Sequence, residues 1–240
     1  MFMKRFLFAL ATIISLSVQA QWETIQGNGN FKTETRQVSS FTELSVSGSM
    51  NVTVKYGKPG DITILADENL LPYIETIVEK GKLHIRAKKK TNLKSKKITV
   101  QLSANTLNGV GLSGSGNIKG DGNFEASGKN YLTISGSGNL NISYASLGNV
   151  SLSISGSGNL TIKGKSAKSI DAAISGSGNI DANNLQANDV TAALSGSGNI
   201  MVYATNSLNA TVSGSGNVVY KGTATKVTSK AAGSGKVIKA

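Results

Sequence analysis

Nucleophilic or acid–base chemistry in this chain would fall to very few side chains. There is no cysteine and a single histidine, His84. A catalytic nucleophile needs a base beside it. His84 stands in "KLHIRA" (residues 82–87), where Leu83, Ile85 and Ala87 alternate with His84 and Arg86. His84 therefore shares a face with basic residues and reads as a solvated surface histidine. One histidine and no cysteine cannot supply the usual ligands of a zinc site within one chain. Paired carboxylates could still cleave a glycan, but from Ser113 onward the acids are only Asp121, Glu125, Asp171, Asp181 and Asp189. On the 20-residue frame described below they fall at different offsets. Asp171 aligns with Ser151 and Thr191, and Asp189 lies two columns away on the next coil. No pair has the placement of a glycosidase pair or a calcium-bound lyase site. The calcium nonapeptide repeat is absent too, since asparagine stands where it needs aspartate. The expectation is no catalytic residue, no metal and no cofactor.

Binding chemistry has better candidates. "GSGKV" (residues 233–237) comes nearest to a phosphate-cradling loop, but lacks the first glycine and the Ser/Thr of that motif. "GSGNIKG" (residues 114–120) has its third glycine one place late for a dinucleotide fingerprint. The charge is more telling. The chain has 25 basic and 13 acidic residues. Between Lys80 and Lys97 lie nine basic residues and no acid: Lys80, Lys82, Arg86, Lys88, Lys89, Lys90, Lys94, Lys96 and Lys97. Without them the mature chain would be close to neutral. A cluster of this kind attracts polyanions. The competing reading is a strand edge kept soluble and unpaired by lysines. Tyr131, Tyr144 and Tyr203 are the main candidate platforms for a sugar ring, but they do not form a column.

The elements that must carry these groups are set by a repeat. SGSGN begins at Ser113, Ser135, Ser155, Ser175, Ser195 and Ser213, with worn copies "SGSMN" at Ser47 and "AGSGK" at Ala232. Leu112, Ile134, Ile154, Ile174, Leu194 and Val212 precede the serine, and Ile118, Leu140, Leu160, Ile180, Ile200 and Val218 follow the asparagine. Polar residues alternate with them on both sides, which is the pattern of half-buried strands. A flexible linker gives no reason for apolar residues at constant offset. Each unit reads as strand, glycine corner, strand, with a weaker third segment around Leu147 or Leu185. A period of about 20 residues with two or three short strands matches one coil of a parallel β-helix. Six or seven coils at about 4.8 Å make a rod roughly 30 Å long. Asn117, Asn139, Asn159, Asn179, Asn199 and Asn217 would then stack into a ladder of side-chain amides, a structural device.

The first half departs from this frame. "FTELSVSGSMNVTVKYG" from Phe41 fits an early coil, "DITILA" and "KLHIRA" read as strands, and "DENLLPYI" reads as a turn or one helical turn. From Ser47 to Ser113 the gap is about three periods. Residues 38–110 are therefore expected to form irregular β coils, packed on the regular repeats of residues 111–240 and capping their end, as one continuous unit. Residues 21–37 read as a frayed lead-in. Before them, Lys4 and Arg5, the apolar "FLFALATIISLSV" and the small residues at Val18–Ala20 have the layout of a signal peptide cleaved after Ala20. An uncleaved anchor is the alternative, though the apolar stretch is short for a span. No later stretch would cross a bilayer as a helix. Export without cysteine means no disulfide and no lipid-bearing cysteine.

The SGSGN recurrence after a leader, with "FTELSVSGSMNVTVKYG", "DENLLPYIETIVEKGKLHIRA" and "KKITVQLSA" upstream, resembles the autotransporter-adhesin head domain of Bacteroidetes, called the head GIN domain. The resemblance covers roughly residues 38–220. It implies an all-β fold, a right-handed parallel β-helix-like solenoid, and a place in the cell envelope, either periplasmic or at the surface. It implies no established molecular function. Only about twenty residues follow the last repeat, so no translocating barrel or sorting domain is expected there. The leading expectation is a non-enzymatic, adhesin-like module that binds glycan, lipopolysaccharide or another envelope protein, and no nucleic acid. The alternatives are a carbohydrate-active enzyme on a β-helix scaffold, and a purely structural component whose repeats stack between molecules.

Overall fold

A computed structural model of the protein describes residues 22–240. The leader and the cleavage after Ala20 expected from the sequence lie outside the described residues. The fold is all-β, a β-solenoid of about seven turns with coils of about 20 residues. The helical element among the described residues is a single 3-10 turn, Leu71–Tyr73, in "DENLLPYI".

Along the chain the strands are β1 (Glu23–Gln26), β2 (Phe31–Gln37), β3 (Glu43–Ser47), β4 (Asn51–Tyr56), β5 (Asp61–Asp67), β6 (Ile74–Glu79) and β7 (Lys82–Ala87). Next come β8 (Thr91–Lys94), β9 (Thr99–Ala104), β10 (Gly109–Gly114), β11 (Asn117–Phe124), β12 (Lys129–Gly136) and β13 (Asn139–Tyr144). The regular coils continue through β14 (Leu147–Gly156), β15 (Asn159–Gly176), β16 (Asn179–Gly196) and β17 (Asn199–Gly214). They end with β18 (Asn217–Lys221), β19 (Lys226–Ala232) and β20 (Lys236–Lys239).

Every pairing in the stack from β10 to β20 is parallel and joins like positions of successive units. Ile134 pairs with Ile154, Ile154 with Ile174, and Ile174 with Leu194. The residues after the asparagines align in the same way, from Ile118 to Val218. Both columns are buried, each large aliphatic side chain contributing about 1.5–3 kcal/mol by leaving water. A third inward column runs Leu147, Ala167, Ala187 and Ala204. Leu185 is buried beside it.

The corners explain the repeat's letters. The first glycine of each unit has positive φ, +120° at Gly114 and +130° at Gly176 and Gly196, a region that side chains with a Cβ rarely enter. The second glycine is required by crowding instead. A Cβ at Gly158 would lie 2.4 Å from the carbonyl oxygen of Gly138 in the coil before. Adjacent corners are joined by the backbone: Ser157 and Gly158 both donate to the Gly136 carbonyl, at 2.9 and 3.1 Å.

The first half does not fill the gap between Ser47 and Ser113 with intervening coils. Ser47 and Ser113 are register partners, so β3–β4 and β10–β11 are neighbouring coils. The chain between them folds back to the opposite side of the first coil, where β7 pairs with β3 and β9 with β4. Antiparallel β2, β5 and β6 complete this cap.

One expectation is corrected. The lead-in expected over residues 21–37 is not frayed where it is described, from Trp22 on: β1 pairs with β8, and β2 pairs with β5 over its whole length. Arg36 donates to the Leu71 and Ile74 carbonyls at 2.8 and 2.5 Å. These strands are held by backbone pairing and polar contacts, and "FKTETRQ" is largely exposed. It therefore carries no apolar alternation by which a strand is recognised.

Candidate functional site

The nine basic residues do not form one patch. Lys80 lies in the tight turn between β6 and β7, with φ of +51°. Lys82 opens β7 and is neutralised by Glu43, with Nζ 2.8 Å from the carboxylate. It also lies over the Tyr131 ring, 5.5 Å from the centroid. At the other end of β7, Arg86 pairs with Glu75 at 2.9 Å. Beyond it, Lys88, Lys89, Lys90, Lys94, Lys96 and Lys97 are exposed. Among the described residues none of the six has a carboxylate within ion-pair distance. Lys88 lies over the Tyr73 ring at 5.7 Å.

These six sit where the cap departs from the solenoid's geometry. In a regular coil two residues join the paired strands at the corner, as Ser137 and Gly138 join β12 to β13. In the cap layer β7 and β9 take the strand positions, and residues 88–98 replace the corner, swinging out to pair β8 with β1. The displaced corner leaves a cavity of about 410 Å³ between this excursion and the first corner, Ser47–Asn51. Its walls include Met50, Leu93, Ile98 and Trp22, and its rim includes Lys88, Lys89, Lys96 and Lys97. Trp22 is the one tryptophan of the chain and is 64% exposed. The volume suits a small ligand or a headgroup, and the lining offers apolar surface beneath positive charge.

The first corner itself differs from all the regular ones. Met50 stands where Gly116 stands one coil later. A Cβ at Gly116 would strike the Met50 carbonyl at 2.2 Å. No corner lies on the cap side of Met50, so a side chain fits there and is buried against the core.

The asparagines run along one edge of the corners. Asn117 Nδ2 donates to Asn51 Oδ1 at 2.6 Å, Asn139 to Asn117 at 2.8 Å, and Asn159 to Asn139 at 2.9 Å. Asn179 donates to Asn159 at 2.9 Å, Asn199 to Asn179 at 3.0 Å, and Asn217 to Asn199 at 3.3 Å. The column begins one step earlier than Asn117, at Asn51. The worn copy "SGSMN" carries that signal.

The carboxylates of the repeats are dispersed. Asp171 pairs with Ser151 and Thr191. Asp189 accepts from Ser207 and Asn206 at 2.6 and 2.8 Å, and these bonds hold it below the usual carboxylate range. Glu125 accepts from the Tyr56 hydroxyl. Among the described residues no three His, Cys, Asp or Glu side chains gather where they could hold a metal ion. His84 lies half-buried on β7 opposite Ile77.

The candidate sugar platforms are largely withdrawn. Tyr144 is fully buried and packs edge-on against Phe124. Tyr131 is half-buried, its hydroxyl donating to Glu43 at 2.5 Å. Tyr203 is half-buried under Lys221. The accessible aromatic at the cavity is Trp22, which the sequence left inside a stretch with no pattern.

The comparisons agree with this architecture. The family model described as "Putative auto-transporter adhesin, head GIN domain" matches residues 40–224. The chain belongs to the head GIN domain family. A "putative adhesin" of Bacteroides fragilis superposes on this head GIN chain with a TM-score of 0.76 at 25% identity, covering 90% of this chain and all of the other. A "putative lipid binding protein" of Parabacteroides distasonis gives 0.69 at 26% identity, covering 91% and 100%. A "putative adhesin" of Parabacteroides merdae gives 0.65 at 26%, covering 91% and 99%. No curated protein matches the chain. The head GIN chain is an adhesin-like module by family and fold. Among its described residues no helix is long and apolar enough to cross a membrane.

Proposed function

We propose that this head GIN protein is a non-catalytic module of the cell envelope that holds a polyanionic envelope component against its cap. The observation that carries the reading is the cavity beside β8, where Trp22, Met50, Leu93 and Ile98 stand among polar residues and exposed lysines that have no carboxylate partner among the described residues. An unpaired cationic rim beside apolar side chains suits an amphiphile with an anionic headgroup, such as lipopolysaccharide. The lipid-binding description of the Parabacteroides distasonis neighbour supports the same chemistry. The solenoid then serves as a rigid stalk behind the cap, its outward faces being flat rows of small polar residues. As an exported protein it would work in the periplasm or on the cell surface, and protease treatment of intact cells distinguishes the two.

The test is retention of the mature protein on immobilised lipopolysaccharide and on heparin. The triple variant Lys88→Glu, Lys89→Glu, Lys90→Glu should lose most of its retention on both. Retention equal to that of the unaltered protein would overturn the reading.

A further inference from the structure

Two backbone N–H groups in the lining of the cavity have no acceptor among the described residues, and their equivalents elsewhere show what they are built to hold. At five of the seven corners that stack on a preceding one, the serine and second glycine both aim their N–H groups at one oxygen, the first-glycine carbonyl of the coil before; at the other two a single N–H does so, Ser197 to Gly176 at 3.0 Å and Gly235 to Gly214 at 2.9 Å. Ser115 and Gly116 both donate to Gly48, at 3.2 and 3.1 Å; Ser137 and Gly138 both donate to Gly114, at 3.0 and 3.1 Å; Ser215 and Gly216 both donate to Gly196, at 3.0 and 3.1 Å. At the first corner the same two positions are Ser49 and Met50. The residues that would supply their oxygen are replaced by the excursion of residues 88–98. Neither N–H has a partner among the described residues, whereas the next amide, Asn51, is satisfied by the Ile98 carbonyl at 3.0 Å. Both residues line the cavity.

We propose that these two amides bind an oxygen of an anionic phosphate group, which takes the place of the missing glycine carbonyl. Convergent backbone N–H groups form anion-binding concavities, and an oxyanion makes a stronger acceptor than the neutral carbonyl it replaces. Lys88, Lys89, Lys96 and Lys97 at the rim supply the counter-charge. Trp22 and Leu93 flank the cavity where an apolar part of the ligand would leave the phosphate. The replacement of the usual glycine by Met50 closes the core beneath the site without removing either donor. The proposal rests on the cap being the recognition surface, and it adds the atoms that hold the anion.

The test uses the unaltered mature protein. Backbone amide resonances are followed by NMR during titration with inorganic phosphate and, separately, with dihexanoyl phosphatidic acid, at fixed ionic strength. Saturable downfield movement of the Ser49 and Met50 amide protons is expected, with Ser137 and Gly138 unmoved as controls within the molecule. If phosphatidic acid alone also changes Trp22 fluorescence, the source is a lipid headgroup; if both probes bind equally and the tryptophan is silent, it is a free phosphate. The Ser49 and Met50 amides remaining in place at saturation with both probes would overturn the proposal. In that event, retention on lipopolysaccharide that depends on Lys88, Lys89 and Lys90 would leave the broader reading of the cap intact.

Discussion

The α-carbon of Gly116 faces the Met50 carbonyl so closely that a Cβ would lie 2.2 Å from the oxygen. The same contact recurs up the stack, at 2.4 Å between Gly158 and Gly138 and between Gly178 and Gly158. The contact is backbone against backbone, so no side chain can swing away to relieve it. Gly158→Ala should therefore destabilise the protein by about 2 kcal/mol or more, since overpacking of this kind displaces main chain. Gly128, which has nothing within 4 Å of a Cβ but has φ of +71°, should lose only about 1 kcal/mol as alanine. Urea midpoints of the two variants check the order.

Asn159 both donates to Asn139 and accepts from Asn179. Asn51 at the first corner only accepts, from Asn117. If the column stabilises the stack, Asn159→Ala should cost roughly twice as much as Asn51→Ala, at about 0.5–1.5 kcal/mol per bond lost. In a solenoid such costs are local to neighbouring coils, so Asn117→Ala combined with Asn199→Ala should be additive. Equal costs at the first and middle positions would remove the column from the list of stabilising devices.

Legibility in the sequence followed the physics of each region. Where coils stack on their own kind, a residue such as Ile154 is constrained by Ile134 and Ile174, so burial imprints a period that can be read directly. The cap has no such repetition. β2 and β8 are held by backbone pairing to partners far away in sequence, and polar strands such as "FKTETRQ" show no alternation. The basic cluster was legible as charge, but its division was not: Glu43 and Glu75, which neutralise Lys82 and Arg86, lie on strands whose pairing only the fold reveals. The SGSMN copy did carry a sign of the cavity, because methionine replaces a glycine that every stacked corner needs.

Asn130 is buried, and neither its Nδ2 nor its Oδ1 has a partner among the described residues. It occupies the inward column continued by Val150, Ile170, Val190 and Leu208, and pairs in register with Val150. A buried polar group without a partner costs about 1–3 kcal/mol. Asn130→Val should therefore raise stability, visible as a higher thermal midpoint. A fall would mean that the amide is satisfied by an internal water.

Glu43 ties β3 to the cap and to the third coil. Partial burial opposes its charge, but hydrogen bonds from Lys82 and Tyr131 prevail and hold its carboxyl below its ordinary value of 4.5. A carboxylate with a lowered folded pKa stabilises the fold above its unfolded pKa, and that contribution disappears as pH falls through the folded value. Glu43→Gln should thus be less stable than the unaltered protein at pH 7, by less than about 1 kcal/mol given the partial exposure. The difference should shrink progressively below pH 4.5. Chemical unfolding of both proteins between pH 3 and pH 7 measures it.

The last prediction separates a site from mere net charge. The final coil also carries exposed lysines, Lys226, Lys230 and Lys239 on β19 and β20, remote in the stack from the cap. Reversing these three lowers the net charge by the same amount as reversing Lys88, Lys89 and Lys90. A long-range attraction between a basic protein and a polyanion depends chiefly on total charge and is screened beyond about 8–10 Å at physiological salt. Contacts in a cavity depend on where the charges lie. If the cap binds, the cap triple should weaken lipopolysaccharide binding at 0.15 M salt by about tenfold or more, equivalent to roughly 1.4 kcal/mol. The terminal-coil triple should change it by less than about twofold, RT ln 2 being only a few tenths of a kcal/mol. At low salt the two variants should converge, because total charge then governs the encounter. Equal losses at 0.15 M salt would reduce the lysines of residues 88–97 to a solvated edge that keeps the cap soluble.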